Sequence, residues 1–258
     1  MAIYVVSDLH GAADALRKAV PEGSTLLLLG DLVNFLDYIS MTGILTEVFS
    51  IEAVQQVVDL RTAGDIEEAR RVMKERSAGR EEEVRKEISK RVHAQYGAVF
   101  DALSDPTYLI LGNVDNPPLA AAFAAESDGV HLCDGRVVSL EGERFGFVGG
   151  ALPTPLHVAG EITEEEMAAK IEGLGEVDVL CSHIPPAVPE LCFDTIAGKH
   201  ERGSEDLLRY IEDVQPKRAY FGHVHQPLVS SMHVGRTLCI NVGYFRSTQR
   251  AWRHSCDI

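Results

Sequence analysis

Five short stretches of this 258-residue chain bring carboxylate, imidazole and carboxamide groups into close spacing: Asp8-Leu9-His10, Gly30-Asp31, Gly112-Asn113, Ser182-His183 and Gly222-His223-Val224-His225. Oxygen and imidazole donors without thiolate suit borderline or hard divalent ions such as manganese, iron, zinc, nickel or cobalt. A carboxylate can bridge two such ions held about 3.5–4 Å apart, an arrangement that clamps a phosphoryl group and generates hydroxide near neutral pH. Taken singly, each stretch is explained as readily by a turn cap or a satisfied histidine. Together, each directly after an apolar run, they have the ligand content of a two-metal site.

The elements that must position these groups are short. Ala2 to Val6, Ser24 to Leu29, Thr107 to Leu111, Val177 to Cys181 and Ala219 to Phe221 are nearly continuous apolar runs, as in strands covered on both faces. The helix-forming stretch Ala12 to Val20 separates the first two, giving a βαβ unit with both acidic tips at one carboxyl edge. Arg136 to Leu140 and Arg144 to Val148 form a hairpin around Glu141-Gly142-Glu143, and Leu228 to Val234 and Thr237 to Val242 flank Gly235. Thr163 to Leu174 is a helix opened by a Thr163/Glu166 capping box, and Ser204 to Val214 is a second helix.

Residues 35–104 differ, with long helix-forming segments, mixed charge and no proline before Leu103. Glu67 and Arg71, Glu81 and Arg85, Glu82 and Lys86, and Glu87 and Arg91 are spaced to pair along helices. Val84, Ile88, Val92, Tyr96, Val99 and Leu103 make an apolar stripe. The stretch reads as a helical insertion within a single domain, 1–258, either packed on the body or serving as a lid or a dimerisation arm. A homo-oligomer formed through it is one expectation.

Lys plus Arg number 24 against 39 Asp plus Glu, a net charge of −15 that argues against sequence-independent binding to nucleic-acid polymers or anionic membranes. No apolar run approaches the length of a membrane span. Cys133, Cys181, Cys192, Cys239 and Cys256 lack zinc-type spacing and read as reduced thiols, so the expected location is cytoplasmic.

Asp-x-His, Gly-Asp-x-Val, Gly-Asn-x-Asp, Ser-His-x-Pro-Pro and Gly-His-x-His, in that order between Ile3 and about Val242, resemble the signature of the calcineurin-like metallophosphoesterases. The resemblance implies an α/β fold, a four-layer αββα sandwich, with a dinuclear centre at the strand ends. By that resemblance Asp8, His10 and His225 hold the first metal, Asp31 bridges, and Asn113, His183 and His223 hold the second. Two divalent ions, manganese favoured, then drive in-line attack of a metal-bound hydroxide on a small phosphoester, with Asp31, Asn113 and His223 at the catalytic centre.

One position departs from the pattern. Many phosphatases of the family carry His directly after the motif Asn, as a proton donor; here it is Val114, which cannot donate. Relatives without that His often look like phosphodiesterases, so a nucleotide-like or other small phosphodiester is the expected substrate. A phosphomonoesterase or protein phosphatase, and a scaffold of this fold that binds a protein partner, are the alternatives. His200 in the polar loop Gly198 to Gly203 is a candidate replacement acid, and Arg202, Lys199 and Asn113 are candidate substrate contacts. Asp115 is expected to orient the motif loop by accepting backbone hydrogen bonds, Asn34 to take a supporting role, and His157 to be a weaker acid candidate on the rim.

Overall fold

A computed structural model describes residues 1–155 and 158–255; His157 and Cys256 lie outside the described residues. The chain opens with β1 (Ile3–Val6), α1 (Ala13–Ala19) and β2 (Thr25–Leu29), then runs through α2 (Ile44–Val48), α3 (Ile51–Thr62), α4 (Ile66–Ser77) and α5 (Glu81–Phe100). Next come β3 (Thr107–Ile110), α6 (Pro117–Ala125), β4 (Val130–Leu132), β5 (Val137–Leu140), β6 (Glu143–Val148) and α7 (Glu164–Glu172). They are followed by β7 (Val179–Ser182), α8 (Pro189–Cys192), β8 (Phe193–Asp194), β9 (Lys199–His200), α9 (Glu205–Val214) and β10 (Arg218–Phe221). The chain ends in β11 (Ser231–Val234), β12 (Thr237–Asn241), α10 (Phe245–Thr248) and β13 (Trp252–Arg253).

The strands form a five-stranded sheet, β13-β1-β2-β3-β4, and a six-stranded sheet, β11-β12-β10-β7-β6-β5. Pairings β1/β2, β2/β3 and β3/β4 in the first sheet, and β6/β7, β7/β10 and β10/β12 in the second, are parallel. The layering follows from the period of two along each strand. Val5, Leu27, Leu29 and Ile110 face Phe147, Val179, Cys181, Tyr220 and Ile240 in a core between the sheets. Their neighbours Val6, Leu26, Leu28 and Leu109 pack instead on an outer core with Leu16 of α1 and Tyr96 and Val99 of α5. Leu180, Ala219 and Phe221 do the same against Met167 of α7 and Leu207 and Ile211 of α9. Two covered faces require two apolar sets, which is why the strand sequences lack polar alternation. The result is four layers, αββα.

The helices between β2 and β3 join the body through α5, whose stripe is buried at Val84, Val92, Tyr96 and Val99. The hairpin of α3 and α4 keeps a small core of its own, Val57, Ala69 and Val72. The expected ion pairs are partly rearranged: Arg71 pairs with Glu68 and Glu75 instead of Glu67, and Arg85 with Glu82 instead of Glu81. Positions three and four apart share a helical face, so either partner is in reach, and such exposed pairs contribute little. Helix α6 is an addition to the sequence reading. The Asn116 side chain accepts from Leu119 N (3.0 Å), and Pro117 and Pro118 occupy the first turn, where no N–H is needed.

Far from the strand tips that carry the motifs, a buried polar chain ties the sheets together. His254, after β13, pairs through Nδ1 with Tyr220 Oη (2.9 Å) and through Nε2 with Glu143 Oε2 (2.9 Å). Lys217 Nζ donates to Glu143 Oε1 (2.8 Å). Burial depresses the His254 pKa below its ordinary 6.5, and Glu143 restores it only in part. Burial would raise the Glu143 pKa, but hydrogen bonds from Lys217 and His254 outweigh it and hold it below 4.5. Both groups bind protons less readily folded than unfolded, so stability is lost as pH falls, below about 6.5 for His254 and below about 4.5 for Glu143. The urea midpoint is expected to drop between pH 7.5 and 5.5, and to drop less in His254→Gln; an unchanged drop would remove His254 from this account.

Candidate metal centre

The five motif loops leave the carboxyl ends of β1, β2 and β3 in one sheet and of β7 and β10 in the other. Direct backbone bonds fix them: His10 N to Asp31 O and Gly11 N to Leu32 O (both 2.8 Å), and Gly222 N to His183 O (2.9 Å). Asp8, His10, Asp31 and His223 have left-handed φ of 55°, 41°, 56° and 67°. Non-glycine residues held there are strained, and such strain concentrates at functional sites. The motif glycines answer a spatial need. A Cβ on Gly112 would fall 2.2 Å from Asp31 Oδ1, and one on Gly222 would fall 2.0 Å from Ser7 Oγ and 2.2 Å from Asp8 Oδ2.

Two groups of donors result. Asp8, His10, Asp31 and His225 offer atoms within 4.8 Å of one another, as do Asp31, His183 and His223. Asn113 Oδ1 joins the second group, 3.1 Å from His183 Nε2 and 3.1 Å from His223 Nδ1. Asp31 belongs to both: Oδ2 lies 3.7 Å from His10 Nε2 and Oδ1 lies 3.6 Å from His183 Nε2. His225 Nε2 stands 3.5 Å from Asp8 Oδ1 and 3.2 Å from His10 Nε2.

The proton inventory tests whether these residues fit metal ions. His10 Nδ1 donates to Val33 O (3.0 Å) and His183 Nδ1 to Leu29 O (2.8 Å), because a carbonyl only accepts. In the neutral rings both Nε2 atoms are therefore bare lone pairs aimed into the site. There His10 Nε2 meets another imidazole nitrogen, and His183 Nε2 meets the acceptors Asn113 Oδ1 and Asp31 Oδ1. A lone pair on His183 held against two acceptor oxygens favours a cation between them. Two ligands each about 2.1 Å from one ion stand about 3.0–3.4 Å apart, close to the separations here. The donor set fits two divalent ions sharing Asp31.

The electrostatics favour the metal-binding protonation state at Asp8, His10 and His223 and oppose it at His225. Burial lowers the His10 pKa despite Asp31, and burial with the charge of His183 brings His223 to about 4. Burial would lower the His225 pKa, but the Asp8 carboxylate raises it overall. For Asp8 itself burial acts upward, and His225, His183 and His10 outweigh it and keep the carboxylate ionised.

Asp115 holds the bridge in place. Its fully buried carboxylate accepts from Asp31 N (2.9 Å) and Gly112 N (2.8 Å) through Oδ2, and from Leu32 N (2.8 Å) through Oδ1. Burial and the nearby Asp31 charge push its pKa up to about 6, against these hydrogen bonds. Tyr96 of α5 adds a contact from its hydroxyl to Asp115 Oδ1 (3.4 Å) and accepts from Asn116 N (2.7 Å). Val114 contributes only its backbone N–H, 3.1 Å from Asp31 Oδ1, while its side chain packs on the outer core.

A family model described as calcineurin-like phosphoesterase matches residues 1–227. The chain belongs to that family. Members are metal-dependent phosphoesterases with a dinuclear divalent centre, and the cluster here can hold such ions. Among solved structures, one matches with a TM-score of 0.58 and 16% identity over the whole of both chains. Another, TT1561 of Thermus thermophilus, matches with a TM-score of 0.52 and 13% identity, over 98% of this chain and 97% of that one. These likenesses concern the fold. A comparison with curated protein sequences gives no match.

Within this phosphoesterase the expected substrate contacts are placed unevenly. His200 is exposed on β9, edge-on to Phe193 at 5.0 Å between ring centres. Arg202 donates to Pro153 O (3.0 Å) and pairs with Glu164, and Lys199 pairs with Glu201 (3.1 Å). Arg70 of α4 donates to Pro155 O (2.7 Å), so segment 153–155 is gripped from two sides. Asn34 is buried at the base of the helical segment, its N–H on Gln95 Oε1 (2.8 Å). Sequence reasoning missed Tyr244, Arg246 and Asp37, which surround the first donor group. The only signal for Tyr244 and Arg246 was a Tyr and an Arg just past β12.

Proposed function

We propose that the chain is a phosphodiesterase acting on a nucleotide-like or other small phosphodiester, using two divalent ions, manganese favoured. The observation that carries the diester reading is Val114, whose half-buried side chain packs against the outer core and offers no proton donor directly after Asn113. Two other cations are also committed, Lys199 to Glu201 and Arg246 to Asp37. A diester brings one negative charge, a monoester up to two, so a site with few free cations beyond its metals matches the diester better.

When bound, the two ions supply Lewis acidity toward the phosphoryl oxygens and a water of lowered pKa. The chain supplies the geometry. Asp31 spans the two donor groups, Asn113 Oδ1 joins His183 and His223, and Asp8, His10 and His225 close the first group. Asn113, His200 and Arg202 remain the substrate-binding proposal.

We place the enzyme in the cytoplasm as one domain, 1–258, with 35–104 inserted in it. No helix among the described residues is long and apolar enough to cross a membrane. The paired test is manganese-loaded protein on an aryl phosphodiester and the matching aryl phosphomonoester. Diester turnover is expected to exceed monoester turnover. A monoester preference would assign the site to a phosphomonoesterase or protein phosphatase, and inactivity on both esters would favour a scaffold.

A further inference from the structure

Metal-ligating histidines almost always have their second ring nitrogen tied to a carbonyl or carboxylate, which fixes the ring. His10 has Val33 O and His183 has Leu29 O. His225 has no such partner among the described residues, and about a third of its side chain is exposed. What it has is Tyr244. The two rings lie face to face, 4.0 Å between centres and 2° from parallel, and the same Tyr244 ring stands edge-on to His10 at 5.6 Å.

Tyr244 is itself held. Its hydroxyl donates to Asp37 Oδ2 (2.9 Å), and Asp37 is fixed by the backbone N–H groups of Ile39 (2.8 Å) and Ser40 (3.0 Å). Arg246 completes the frame, with Nε 3.5 Å from Asp37 Oδ2 and Nη1 donating to His10 O (2.8 Å). One small frame thus touches both imidazoles of the first donor group, by ring stacking on His225 and through the backbone of His10. Tyr244 and Arg246 also lie beyond residue 227, outside the stretch the family model matches.

The geometry points to Tyr244 as a positioning residue for His225, doing by stacking what a hydrogen bond does for His10 and His183, so that affinity at the first metal site depends on its ring. This inference rests on the two-metal reading of the site. Asp37 and Arg246 act one step further out, by holding the tyrosine and the His10 backbone.

The test is calorimetric titration of metal-free protein with manganese ions alone, with the fold of each variant checked by circular dichroism. The parent is expected to bind two ions. Tyr244→Leu is expected to weaken one site about 10–100-fold and spare the other, whereas Tyr244→Phe, which keeps the ring, is expected to stay near the parent. A role confined to general stability would not show that selectivity. Nor would it show the coupling expected in a double-mutant cycle: Tyr244→Leu adds little to His225→Ala but retains its full effect in His183→Ala. If Tyr244→Leu does not fold, Tyr244→Met, which fills the space with a flexible chain in place of the flat ring, is expected to weaken the same site. Two ions bound at parental affinity in a folded variant that lacks the ring would overturn the inference and leave the metal site standing. A parent that binds no ion would overturn both.

Discussion

Asp31→Ala is expected to bind neither ion of the pair tightly and to lose phosphoesterase activity by at least about 10³-fold, because several kcal/mol of transition-state charge stabilisation goes with the ions. Asp31 is the single residue shared by both donor groups, with one carboxylate oxygen toward His10 and the other toward His183. Its removal also leaves the bare Nε2 atoms of His10 and His183 facing other acceptors with less negative charge to recruit a cation. Folding should survive, since the carboxylate makes only one backbone contact, with Val114 N. Calorimetry of Asp31→Ala with manganese checks this, and two-ion binding at parental affinity would refute the bridging role.

Asp115→Ala is expected to damage the protein in the opposite order, stability first and metal binding as a consequence. Three buried backbone N–H groups, those of Asp31, Leu32 and Gly112, lose their acceptor at once. Each unsatisfied donor costs about 1–3 kcal/mol. Relief of the repulsion between Asp115 and Asp31 offsets part of this, as does any water that enters, which leaves a net loss of about 3 kcal/mol. Asp115→Asn does little better, because one of its two terminal atoms is then a donor facing donors. Urea unfolding measures the loss directly. A variant as stable as the parent would mean that the Asp31 and Asn113 loops hold their strained geometry without Asp115.

The layers were legible, and the seven candidate donors could be picked out, because both are written in local pattern. Double-covered strands such as Thr25–Leu29 announce themselves as unbroken apolar runs, and each metal motif follows one directly. The role of Asp115 could also be read, since a turn aspartate has backbone donors within reach. What escaped depends on the meeting of distant segments. Nothing near Tyr244 in the chain reveals that it stacks on His225, because the contact forms only after the C-terminal segment returns to β1 and meets Asp37. The His254–Glu143–Tyr220 chain joins two sheets and is likewise invisible in sequence. Helix α6 was missed for another reason: it opens on two prolines, which fill its first turn behind the Asn116 cap.

The most direct measurement is diester turnover followed while metal-free protein is titrated with manganese. The paired donor groups around Asp31 predict a rate that climbs to a plateau at two ions per chain. A plateau at one ion, or no turnover at any ratio, would contradict a two-metal phosphodiesterase.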